Sequence, residues 1–221
     1  MVLITDSKQD TFCTGVLVGP QHVLTAAHCI KQRLQDLTAH RGLQLKLKTA
    51  EQRAITHVVI HRDYQPSSSG DSSGVDLAII KIKEGWKDGQ PARLVSDPAI
   101  FDYALRTVAL GYGRHLQGSN WTAGTLRAVY KVAKIYPAIG SFQYNQQDGT
   151  GICQGDSGGP HFVKINNQWL LVGITSNTVA RSAKAKPCHE YSRIMNVFNF
   201  SDWIEKAIEQ SAQAEPGISR L

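Results

Sequence analysis

The chain has 221 residues, 42% of them hydrophobic and 19% charged, with a formal net charge of +6. Leu, Ile, Val and Phe make up about a quarter of it, too many for a disordered chain, and no apolar run approaches the ~18 residues of a membrane helix. Gly at 19, Pro at 8 and the lack of a repeat period exclude collagen-like and solenoid chains.

Short apolar or alternating runs follow one another along the chain. They are Val16 to Val18, Val23-Leu24, Val58 to Ile60, Leu77 to Ile82, Val108 to Leu110, Trp169 to Ile174 and Arg193 to Val197, separated by Gly, Pro, Asn, Asp and Ser. Leu43 to Leu47 alternates strictly and predicts a half-buried strand. Ser67 to Gly74 reads as a loop, and the Ser96 to Tyr103 region is the best place for a linker. Near the end, Asn199 or Ser201 can cap a helix through Trp203, Ile204, Ala207 and Ile208, with the Gln210 to Leu221 tail fraying beyond it. The pattern predicts an all-β chain with one terminal helix. The positive charge is spread without blocks of five or six, as on a basic soluble surface rather than a nucleic-acid-binding tract.

Two segments match Gly-x-Ser-x-Gly: Gly70 to Gly74 and Gly155 to Gly159. Neither serine is followed by a helix, so the α/β-hydrolase reading fails on context. His57 and His61 are spaced i, i+4 but flank a strand-like run, where that spacing does not bring side chains together. Leu43 to Gln52 holds Lys46, Lys48 and only Glu51, a poor oxygen cage for a hard cation. No metal or cofactor is expected. His28 beside Cys29, Asp76 ahead of an apolar strand, and Ser157 in a glycine turn are each unremarkable alone. Their joint occurrence in that order is what points to chemistry.

The segments Leu24-Thr25-Ala26-Ala27-His28-Cys29, Asp76-Leu77-Ala78-Ile79-Ile80, Gly111-Tyr112-Gly113 and Cys153-Gln154-Gly155-Asp156-Ser157-Gly158-Gly159-Pro160 carry a resemblance. With Leu171 to Ser176 and the closing Trp203-Ile204, they resemble the trypsin/chymotrypsin family of serine peptidases. The resemblance implies two antiparallel six-stranded Greek-key β-barrels packed together with a C-terminal α-helix. It divides the chain into a first barrel over 1–100, a second over 101–197, the helix over 198–210 and a tail over 211–221. It also implies that Ser157 is a nucleophile, His28 its general base, and Asp76 the group that fixes the imidazole tautomer. The N–H groups of Gly155 and Ser157 would form the oxyanion hole. Cys13 would pair with Cys29, worth roughly 3 kcal/mol in the chain-entropy model, and Cys153 with Cys188. Two such bridges imply an oxidising compartment, hence an extracellular or periplasmic protein.

Departures from the family sharpen the expectations. The family's Ile/Val-Val-Gly-Gly segment, whose freed amine pairs with the aspartate before the serine, is absent. Asp156 therefore needs that amine from elsewhere, or another partner. Trypsin-like enzymes carry an Asp two residues before the serine-loop cysteine, where this chain has Gly151, followed by Ile152. Gln154, Ser176, Asn177, Thr178 and His189 complete the expected substrate-binding set, and small or medium uncharged side chains are the expected preference at the cleaved residue. Expected partners are protein or peptide substrates and protein inhibitors, without nucleic acid or a stable membrane association, the chain being a monomer. The competing expectation is a silent or latent homologue that acts as a cationic binding protein.

Overall fold

The computed structural model describes residues 1–6, 12–31, 33–45, 50–66, 73–101, 104–115, 122–136, 140–179 and 188–221. In chain order the strands are β1 (Val2–Asp6), β2 (Phe12–Gly19), β3 (His22–Thr25), β4 (Leu37–Arg41), β5 (Glu51–Ile60), β6 (Tyr64–Gln65), β7 (Ser73–Gly74) and β8 (Ala78–Ile82). There follow β9 (Arg93–Leu94), β10 (Leu105–Gly111), β11 (Arg127–Tyr136), β12 (Ser141–Asn145), β13 (Pro160–Ile165), β14 (Gln168–Val179) and β15 (Tyr191–Asn196), then helix α1 (Ser201–Gln213) and β16 (Gly217–Arg220).

Six strands close into each of two antiparallel barrels. The first runs β1-β2-β3-β8-β5-β4 and closes β4 onto β1; the second runs β10-β11-β12-β15-β14-β13 and closes β13 onto β10. Closure satisfies the backbone groups that an open sheet would leave at its edges. The unbroken apolar run from Leu77 to Ile82 has its explanation here. Ala78, Ile80 and Ile82 point into the first barrel's core, whereas Leu77 and Ile79 join the cluster shared with the second barrel. A strand covered on both faces has no solvent side to make polar. The residues leading into it thus emerge between the barrels, which is where Asp76 stands.

The structure departs from three sequence expectations. Leu43 to Leu45 is not a strand: Gln44 makes a single bridge to Thr125, the Leu45 N–H donates to the Gly124 carbonyl and the Leu126 N–H to that of Leu43. Backbone bonds to a loop of the second barrel override a short alternating pattern; Lys46 and Leu47 lie outside the described residues, as do Ser67 to Ser72 of the expected loop. The capping residue is neither Asn199 nor Ser201. Asn196 accepts from the Phe198 N–H at the 3-10 turn Val197–Phe200 that leads into α1, while Ser201 donates to the Phe198 carbonyl.

Nor is the tail frayed. β4 parts from β5 at Ala54, leaving an open edge that β16 covers as a parallel strand from Gly217 opposite His57 to Arg220 opposite Ile60. The two histidines serve this attachment. His57 bonds the Glu215 carbonyl through Nδ1 and Ser219 Oγ through Nε2, and His61 packs against Trp203, whose indole N–H donates to Leu221.

A chain of buried polar groups crosses the second barrel. Thr107 bonds the Tyr144 hydroxyl, which meets His161 Nδ1 at 2.6 Å, and His161 Nε2 reaches Thr175 Oγ1 at 2.8 Å. Burial pushes the His161 imidazole down to about 3. As the pH falls below the ordinary value near 6.5 the unfolded chain takes up this proton first, so the stability it confers is complete above that pH and declines toward the folded value. Between pH 6.5 and 5 the loss is about 2 kcal/mol. Thermal melts of His161→Gln should show a pH 7-to-5 drop smaller than wild type by roughly 4–8 °C; equal drops would refute this.

Candidate active site

The first half of the site is built between the barrels from the first of them. β3 ends at Thr25, and a single 3-10 turn, Ala27–Cys29, carries His28 back toward the start of β8, tied down by the Cys13–Cys29 disulfide. Asp76 is fully buried and binds His28 twice: Oδ1 accepts the His28 backbone N–H at 2.9 Å and Oδ2 meets Nδ1 at 2.8 Å. The Ser176 hydroxyl, from β14 of the second barrel, donates to the same Oδ2 at 2.6 Å. Burial alone would raise the Asp76 carboxyl, but the hydrogen bonds and charge of His28, with the Ser176 bond, more than offset it and hold it below its ordinary value. Nδ1 therefore carries a proton that it donates to Asp76, leaving Nε2 free to accept one. His28 remains partly open to solvent, with a side-chain exposure of 18%.

The second half is the loop from Cys153 to Gly159. The Ser157 carbonyl accepts the Thr14 N–H at 2.7 Å and lies 3.8 Å from the Cys29 sulfur, which sets the serine beside the His28 turn. Within the loop the N–H groups of Cys153, Asp156, Gly158 and Gly159 are committed to Asp156 Oδ2, the Cys153 carbonyl, the Thr175 carbonyl and the Asp156 carbonyl. Those of Gly155 and Ser157 have no acceptor among the described residues, a pair of donors left for a ligand. Gly155 has φ +98°, where a side chain would be strained. The Ser157 hydroxyl has no hydrogen bond to His28 among the described residues.

Asp156 meets its need for partners inside the chain. Oδ1 accepts the Gly113 N–H at 2.8 Å and Oδ2 that of Cys153 at 2.9 Å. The carboxylate lies so close to Gly111 and Gly113 that a Cβ on either would overlap it. Burial still pushes its carboxyl up to about 6, against the pull of these bonds and the Arg127 cation. A cavity of about 270 Å³ opens beside it, lined by Gly113, Arg127, Ile152, Asp156 and Cys188 among others.

The expected substrate-binding residues are dispersed in exposure. Gly151, Gln154 and His189 are exposed, Asn177 and Thr178 half-buried, and Ile152 buried. Two further residues build this region. Fully buried Gln146 donates to the Ile152 and Cys188 carbonyls and accepts the Ile152 N–H at 2.7 Å, and its carboxamide fills the space a side chain at 151 would need. Ser192, opposite Thr178 across β14 and β15, is buried too. Neither belongs to a local motif, so only the tertiary pairing reveals them. The Cys153–Cys188 disulfide closes the region. Cys13, His28 and Cys29 lie together, but both sulfurs are spent in their disulfide and offer no thiolate to a metal. Gly70 to Ser72 of the other Gly-x-Ser-x-Gly lie outside the described residues.

Residues 1–204 match the trypsin family. The chain is 28% identical to the venom peptide isomerase heavy chain of Agelenopsis aperta, with 90% of both chains covered. It is 26% identical to coagulation factor XI of Bos taurus over 91% of its own length and 34% of that protein's.

Proposed function

The chain belongs to the trypsin family, and we propose that it is a secreted serine endopeptidase working through His28, Asp76 and Ser157. The observation that carries this reading is the His28–Asp76 pair at 2.8 Å beside a serine loop whose Gly155 and Ser157 N–H groups are uncommitted. Ser157 Oγ adds to the scissile carbonyl while His28 Nε2 takes its proton. Asp76 stabilises the imidazolium, and the two N–H groups take the oxyanion. His28 then returns the proton to the departing amine, and water hydrolyses the acyl-serine by the same route. Two disulfides and relatives named for venom and for coagulation support secretion. No helix among the described residues is long and apolar enough to cross a membrane.

The preferred residue on the acyl side is small or medium and uncharged. Gly151 supplies no carboxylate, and the neutral Gln146 amide lies directly beneath it. Thr178, half-buried on β14 opposite Ser192, is the β-branched residue expected to narrow the slot. A fluorophosphonate probe is expected to add to Ser157, located by peptide mass spectrometry, and a peptide library to be cut after Ala, Val or Leu well ahead of Arg. An adduct elsewhere, or none, would overturn the catalytic reading. Preferred cleavage after Arg would overturn the specificity alone. Mass separates hydrolysis from isomerisation, the activity in the Agelenopsis aperta relative's name: hydrolysis leaves two shorter peptides, isomerisation one of unchanged mass.

A further inference from the structure

Thr14 lies on β2 of the first barrel, fully buried, with every polar atom hydrogen-bonded. Its N–H donates to the Ser157 carbonyl at 2.7 Å and its carbonyl accepts from Thr25 Oγ1 at 2.8 Å. Its hydroxyl donates to the Gly155 carbonyl at 2.9 Å and accepts the Tyr112 N–H at 3.0 Å. One side chain thus ties the serine loop to the Gly111 to Gly113 segment, and both to the other barrel. Gly113 in turn holds Asp156.

We propose that Thr14 is a positioning residue for the oxyanion loop: its hydroxyl anchors the Gly155 carbonyl, and with it the Gly155–Asp156 peptide that lies between the Gly155 and Ser157 N–H groups, so that both stay directed at the reacting carbonyl. A glycine at φ +98° has a second broad region open to it and holds its orientation only if its neighbours do. The same loop carries the half-buried Asp156 carboxylate, held by two N–H groups, and losing either would let the loop rearrange. Thr14 opposes it from a rigid strand. Its methyl contributes packing against Gly159, but only the hydroxyl can bond Gly155 and Tyr112 together.

The assignment rests on the peptidase reading for its kinetic readout, so the test has a second readout that does not. Thr14→Val keeps the shape and removes the hydroxyl; Thr14→Ser keeps the hydroxyl. Thr14→Val is expected to lower kcat and the rate of Ser157 labelling by about tenfold with KM little changed, and to speed amide exchange at Asp156, Gly158 and Gly159 by about tenfold. Exchange in β5 and β8 should be unaltered, and Thr14→Ser should stay within about threefold of wild type throughout. If exchange rises over the whole of Thr14→Val, Thr14→Ala, which leaves room for a bridging water, takes its place in the same comparison. Exchange at 156–159 unchanged without the hydroxyl, or Thr14→Ser as impaired as Thr14→Val, would overturn the proposal. A wild-type protein inert to the probe would overturn the peptidase reading instead, with the exchange comparison still deciding the role of Thr14.

Discussion

Asp76→Asn is expected to lower kcat for peptide hydrolysis by about 10⁴-fold, the size of that exchange in a related triad. The reason lies in which oxygen faces what. Asp76 Oδ1 accepts a backbone N–H, that of His28, which cannot turn away. The asparagine must therefore keep its carbonyl there and place its NH₂ where Oδ2 stood, against His28 Nδ1 and the Ser176 hydroxyl. Nδ1 can only accept from that NH₂, so the ring proton moves to Nε2, the nitrogen that has to receive the Ser157 proton. The base is lost through its tautomer, with the imidazole still in place. Ser176 can rotate its hydroxyl to accept instead of donate, so the fold should survive, as a far-ultraviolet spectrum and thermal melt would show. Asp76→Asn added to Ser157→Ala should cost nothing more, because the two act as one unit. A loss under tenfold for Asp76→Asn would mean that Asp76 does not set the tautomer.

Gly158→Ala is expected to cost upwards of about 4 kcal/mol and to lower the thermal midpoint by roughly 8–16 °C. Gly158 sits at φ +79°, which a side chain tolerates poorly. A Cβ there would overlap Thr25 Oγ1 and the Thr14 carbonyl, and would meet the Ala26 nitrogen at 2.9 Å. These are backbone or strand-held atoms of the first barrel, so relief requires parting the two barrels where the site is assembled. Gly149→Ala is the matched control: it too has positive φ, +79°, but nothing lies within 4 Å of the added carbon. Its cost should be confined to backbone strain, about 1 kcal/mol. Equal melting temperatures for the two variants would refute the steric argument.

Much of this protein could be read from residues alone. The short apolar runs between turn formers gave an all-β chain, and the local sequences around His28, Asp76 and Ser157 pointed to one chemistry. Such signals are local: a glycine turn or a strand-leading aspartate is recognisable within about six residues. The four cysteines paired as the family resemblance implied.

What escaped the sequence is what depends on distant partners. The alternating Leu43 to Leu45 became a bend because backbone groups of the second barrel claimed it. The polar, Pro-Gly-containing tail became β16 because β4 is too short to cover β5. Asp156 found its partners in the N–H groups of Gly113 and Cys153, forty-three and three residues away. Thr14, Gln146 and Ser192 have no motif, and their surroundings exist only once strands far apart in sequence are paired. Sequence by itself determined the class of fold and singled out the candidate reactive groups, since both are encoded in short stretches of side-chain type and period. Tertiary structure alone decided how buried hydrogen bonds are shared out, because each needs a donor and an acceptor that only the closed barrels bring within 3 Å.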